Sequence, residues 1–104
     1  MKILLILGHP VSDSFCGALA RAYQEGAIAA GAEVEMISLG DFEFDPILHL
    51  GYRGSQTMEP DVEKAQQMIK RADHVVVVTP TWWASMPAVL KGVFNLVVLP
   101  GFAF

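Results

Sequence analysis

Two uninterrupted apolar runs constrain this chain more than any other feature. Residues 3–7 read ILLIL and residues 75–78 read VVVV, and they end at Gly8-His9-Pro10 and Thr79-Pro80. A strand with one wet face alternates apolar and polar side chains. The unbroken run at residues 3–7 suits a strand covered on both faces, as in a parallel sheet. The β-branched valines favour the same state. Between the runs a helical stretch begins at Phe15, with Ser12, Asp13 and Ser14 as candidate N-caps and Gly31 as a C-terminal stop. Phe15, Leu19, Ala22 and Gly26 share one face of it. The small side chains of residues 27–32 would let it lie close against a sheet.

Residues 33–39 (EVEMISL) begin by alternating, like a strand near a sheet edge. Residues 40–60 keep no period and contain Pro46, Gly51, Gly54 and Pro60, which predicts a long surface loop with a turn near Asp45-Pro46. Residues 61–71 predict a helix with Val62, Ala65, Met68 and Ile69 inward and Glu63, Lys64, Gln67 and Lys70 outward. Met86-Pro87 opens a last helix, with Pro87 in its first turn. This alternation of strands and helices predicts an α/β domain with a parallel sheet and right-handed crossovers. If the strand order is 2-1-3, as the family resemblance described below implies, the loops that follow the first and third strands are neighbours.

Composition narrows the function. A chain of 104 residues supports one domain, spanning residues 1–104. A net charge of −4, with seven scattered Lys and Arg, argues against a nucleic-acid or anionic-membrane surface. No stretch approaches the roughly 20 apolar residues of a membrane span. The run at residues 3–7 is also too short for a signal-peptide core. A single cysteine, Cys16, leaves no internal disulfide or Cys-cluster zinc site and fits a reducing, cytoplasmic setting. Residues 93–104 (VFNLVVLPGFAF) stay apolar and aromatic, so the chain is expected to be the N-terminal portion of a longer fold.

Open parallel sheets bind ligands beyond the carboxyl ends of their strands, where strand order reverses. Two loops leave such ends. The first, residues 8–16 (GHPVSDSFC), offers His9, Ser12, Ser14 and the free N–H groups of a helix start, a setting that suits a phosphate. No Lys or Arg stands between Lys2 and Arg21, so hydroxyls, amides and His9 would have to hold the anion. GxGxxG and Walker patterns are absent. The plainer reading is a capped helix with an exposed His. The second loop runs from Thr79 to Met86 and carries adjacent Trp82 and Trp83, which cannot readily both face one core. A flat aromatic ligand such as an isoalloxazine is one natural occupant, and a core or subunit contact is the other. His49 and His74 lack metal-ligand spacing, and Asp41, Glu43 and Asp45 lack the rest of a calcium loop. Cys16 reads as a packed thiol, and Met36, Met58, Met68 and Met86 read as packing.

At these loops the chain resembles the flavodoxin-like NAD(P)H dehydrogenase (quinone) family, which includes DT-diaphorases and the regulatory flavoproteins of potassium efflux systems. The matching segments are residues 4–15 (LLILGHPVSDSF), Phe44-Asp45-Pro46, Ala72-Asp73 before the valines, residues 80–92 (PTWWASMPAVLKG) and residues 100–104 (PGFAF). The resemblance implies a flavodoxin-like fold lacking its C-terminal strands, and a homodimer binding FMN or FAD. It implies a ping-pong reaction in which NAD(P)H gives a hydride to the flavin and a quinone then takes two electrons. By the same resemblance, His9, Ser14, Phe15 and Cys16 would hold the flavin phosphates and ribityl chain. Pro80, Thr81, Trp82, Trp83 and Ala84 would line the isoalloxazine. Cys16 stands where many members carry Asn, and Ala84 where some carry an aromatic ring. No catalytic residue can be assigned. The alternatives are a regulatory or electron-carrier flavoprotein acting through a protein partner, and an inactive truncated product.

Overall fold

The computed structural model describes residues 1–51, 53–54, 56–99 and 102. Its sheet has the expected order. β1 (Lys2–Leu7) is central, β2 (Glu33–Ser38) pairs on one side and β3 (His74–Val78) on the other, both parallel to it. The registers set Ile3 beside Val34 and His74, and Leu7 beside Ser38 and Val78. Residues 3–7 are buried throughout, as their unbroken apolar run requires. β2 keeps Glu33 and Glu35 exposed, in agreement with its alternation.

Three helices cover the sheet. α1 (Phe15–Ala29) joins β1 to β2, α2 (Pro60–Arg71) precedes β3, and α3 (Ala88–Val97) follows it. From β1 the chain moves outward first to one side of the sheet and then to the other, so crossovers of one hand place α1 and α2 on opposite faces. The core divides accordingly. Leu5 and Leu7 pack with Cys16 and Ala20 of α1, while Leu4, Ile6 and Ile37 pack with Val62, Ala65 and Met68 of α2 and Leu90, Val93, Leu96 and Val97 of α3.

The expected inner face of α2 is borne out by Val62, Ala65 and Met68, with Ile69 half-buried. Pro60 stands in its first turn, Asp61 and Glu63 lie near its N-terminus and Lys70 and Arg71 near its end, each charge favouring the helix dipole. α1 corrects the sequence reading. Phe15, Leu19, Ala22 and Gly26 do share a face, but all four are exposed, and the sheet side is made by Cys16, Gly17 and Ala20. Small side chains bring this helix onto the strands at its first turns, not along residues 27–32. Gly31, at φ +96, ends α1 as anticipated. Pro87 is the N-cap residue of α3 and not a residue of its first turn.

The described residues between 42 and 59 belong to the long loop, which is preceded by a 3-10 turn at Leu39–Asp41. Carboxylates at the start of α2 tie it down: the Glu43 N–H donates to Asp61 Oδ2 at 2.8 Å and the Asp45 N–H to Glu59 Oε2 at 2.7 Å. Pro46 passes so close to Gly92 that a Cβ there would collide with it. The Phe44-Asp45-Pro46 segment therefore meets the end of the 80–92 segment, and the two sequence motifs form one packing contact. Of the 100–104 segment only Phe102 lies among the described residues, and it packs against the main core.

Candidate functional site

The first loop leaves β1 at Gly8, whose N–H donates to Val78 O at 2.8 Å. That bond ties its beginning to the end of β3, from which the second loop departs. Glycines then shape it. A Cβ on Gly8 would come within 2.8 Å of Leu90 Cδ2, one on Gly17 would collide with the Ser12 carbonyl, and one on Gly40 with the Pro10 carbonyl. The loop is thus held from α3, from α1 and from the turn after β2. At its end Ser14 caps α1, its Oγ accepting from the Gly17 N–H at 3.1 Å and its carbonyl from the Ala18 N–H at 3.0 Å. The N–H groups of Phe15 and Cys16 precede the first residue that can bond within the helix.

The second loop makes a tight reversal. Trp82 and Ser85 exchange both backbone hydrogen bonds, at 2.8 and 3.1 Å. Between them Trp83 (φ 52) and Ala84 (φ 59) occupy the left-handed region, as in a type I′ turn. Such turns ordinarily carry Asn or Gly, and side chains in this region strain the backbone by about 1–2 kcal/mol each. Trp83 stands wholly in solvent at 101% relative exposure, and Trp82 is 44% exposed. Neither indole belongs to the core.

His9 and Trp82 bring the loops together, their ring centroids 5.3 Å apart and their planes 76° from parallel. Residues 9–16 and 80–84 therefore lie at the same end of the sheet, with His9 and Trp82 in contact. Ser14 is half-buried and Phe15 is 77% exposed, whereas the Cys16 side chain packs beneath the loop with Leu5, Leu7 and Ala20. What Cys16 can offer a ligand is its backbone N–H. Pro80 is half-buried, and Thr81 and Ala84 are exposed.

Sequence reasoning missed one cation. Arg21 Nη1 lies 3.5 Å from Ser12 O, so a guanidinium stands beside the first loop although none precedes it in sequence. The spacing Gly17-x-x-x-Arg21 carries that signal, because residues four apart on a helix are neighbours and glycine leaves the space open. It also missed the partner of His49. The His49 Nε2 meets Asp45 Oδ2 at 2.6 Å, and the Ile47 N–H donates to Asp45 Oδ1 at 3.0 Å; these bonds hold the Asp45 carboxyl below its ordinary range. A cleft of about 400 Å³, lined by Leu48, Gln56, Met58, Val62 and Leu96 among others, lies apart from both loops. Among the described residues no group of three or more His, Cys, Asp or Glu could hold a metal ion. None of the described helices is long and apolar enough to cross a membrane.

Two loops meet beyond the carboxyl ends of β1 and β3, where strand order reverses, in a doubly wound α/β domain. The chain belongs to the family described as flavodoxin-like fold, whose profile matches residues 1–104. It is 32% identical to an uncharacterized NAD(P)H oxidoreductase of Haemophilus influenzae, covering 100% of this chain and 54% of that protein. It is 30% identical to NAD(P)H dehydrogenase [quinone] 1 of Cavia porcellus, covering 99% of this chain and 45% of that one. Among solved structures, the NAD(P)H:quinone oxidoreductase of Methanothermobacter marburgensis superposes with a TM-score of 0.84 at 29% identity, over 100% of this chain and 56% of that one. The chain spans about half the length of these relatives.

Proposed function

We propose that this chain forms the flavin-binding half-site of an NAD(P)H:quinone oxidoreductase that works as a homodimer in the cytoplasm. The carrying observation is the His9–Trp82 contact, which brings a polar helix start beside an indole-bearing turn. The residues fit a phosphorylated planar group. The Phe15 and Cys16 N–H groups, the Ser14 hydroxyl, His9 and the nearby Arg21 supply donors and positive charge for a phosphate. Pro80, Thr81, Trp82, Trp83 and Ala84 supply the border for an isoalloxazine, with the exposed Trp83 offering a flat apolar face. FMN and FAD share both features. When bound, the flavin supplies two-electron hydride chemistry between a nicotinamide and a quinone, in two half-reactions at one face. The protein's part is to orient the ring and hold the phosphate. The names of the relatives in Haemophilus influenzae and Cavia porcellus support NAD(P)H as donor, and the latter a quinone as acceptor.

The test is uptake of FMN and FAD by the purified chain, measured by calorimetry, with menadione-dependent NAD(P)H oxidation measured in parallel. Trp83→Ala should weaken flavin binding about fivefold, the worth of one aromatic contact. Met68→Ala, in the core facing α2, should leave the affinity of folded protein unchanged. Folded wild-type chain that takes up neither flavin overturns the reading.

A further inference from the structure

We propose that Trp82 is a positioning residue for His9. It holds the ring where Nδ1 accepts the Val11 N–H, so that the side chain carries its proton on Nε2 and offers it to an anionic ligand oxygen. Val11 N–H can only donate, and it meets His9 Nδ1 at 2.9 Å. That nitrogen therefore carries no proton, and a neutral ring carries its proton on Nε2. Among the described residues His9 makes no other protein hydrogen bond, which leaves Nε2–H available to a ligand.

The Val11 bond spans only two residues in an exposed loop, and a rotation of the imidazole would break it. Trp82 opposes that rotation from the other loop through its edge-to-face contact with the ring. Its own backbone is fixed by the paired bonds to Ser85. One contact sets which nitrogen accepts, and the other sets the plane of the ring. On the flavin reading above, the ligand oxygen is that of the phosphate, so the indole would act on the phosphate end of the site through His9 besides bordering the ring end.

The test uses the full chain without flavin, labelled with 15N-histidine, at about pH 8.5, above the ordinary histidine range. Long-range 1H–15N spectra should show His9 as a single Nε2–H tautomer in wild type and in Trp82→Phe. Trp82→Leu, which keeps apolar bulk without a ring, should show mixed tautomers at His9, with His49 and His74 unmoved as internal controls. An unchanged His9 in folded Trp82→Leu overturns the proposal. Titrations with FMN and riboflavin, which differ only by the phosphate, provide the second readout. Trp82→Leu should reduce the preference for FMN over riboflavin roughly fivefold, and Trp82→Phe should restore it. In a His9→Ala background the same substitution should leave that ratio unaltered. Equal losses for both ligands in the wild-type background also overturn the proposal. Should wild type bind neither flavin, the functional reading fails, while the tautomer spectra still decide the role of Trp82.

Discussion

Gly17→Ala should invert the sign that helix propensity alone gives. Replacing glycine by alanine inside a helix ordinarily stabilises it by about 0.5–1 kcal/mol. At Gly17 the added methyl would stand far inside 3.0 Å of the Ser12 carbonyl oxygen, 3.0 Å from its carbon and 3.3 Å from Arg21 Nη1. Two of those atoms are backbone and cannot rotate aside, so the loop or the first turn of α1 must move. Overpacking of this kind costs about 1–3 kcal/mol. Displacing Gly17 also endangers its N–H bond to Ser14 Oγ, whose loss costs about 1 kcal/mol. Against the propensity gain, the net destabilisation is about 1–3 kcal/mol. At 4–8 °C per kcal/mol for a domain of this size, Tm should fall by roughly 5–20 °C. Gly26 is the control, on the same helix with nothing within 4 Å of its would-be Cβ. Gly26→Ala should gain the full propensity increment. Urea unfolding followed by far-UV circular dichroism measures both, and comparable slopes for the variants keep the comparison valid. A Gly17→Ala protein as stable as wild type would refute the reasoning, because the loop would then not be wedged against the helix.

Other sites yield further expectations. Ala84→Gly should stabilise the chain by about 1 kcal/mol in thermal melts, since it relieves a left-handed alanine; no gain would contradict the turn geometry. Ser38→Ala should be neutral or stabilising by up to about 1 kcal/mol, because the Ser38 hydroxyl is buried without a hydrogen-bond partner among the described residues. The Asp45 carboxyl should titrate below the ordinary carboxylate range, first because of its bond to His49 and then that to the Ile47 N–H. A folded value below the unfolded one means that the stability this carboxylate contributes is present above the ordinary range and lost as pH falls through the folded value. Carbon-13 NMR titration of Asp45 in wild type and His49→Ala checks this, the variant moving the midpoint upward.

β1 was readable because burial on both faces imposes an unbroken apolar run, and β3 from its β-branched valines, although Val75 is exposed and Val76, Val77 and Val78 are only half-buried. The alternation of elements did not fix the strand order, which came with the flavodoxin-like resemblance; the sheet order, the Gly8–Val78 bond and the His9–Trp82 contact agree with it. The inner face of α1 was not readable. Periodicity marks the large apolar side chains of a helix, yet here the contact with the sheet is made by Cys16, Gly17 and Ala20, and Phe15 and Leu19 point outward. Nor could spacing reveal that Asp45 and His49 bond within an irregular loop, or that Pro46 requires the absence of a side chain at Gly92. Those contacts depend on chain paths that no period describes. The left-handed pair at Trp83 and Ala84 went unseen for the opposite reason, since the residues present are not those such a turn prefers.

The placement of the two tryptophans gives the molecule an optical property. The chain has only these two, and both stand on the turn beside His9. Its indole fluorescence therefore originates entirely at that turn, with no background from the interior. A planar absorber arriving there should quench nearly all of that emission, while changes confined to the core facing α2 should leave it untouched.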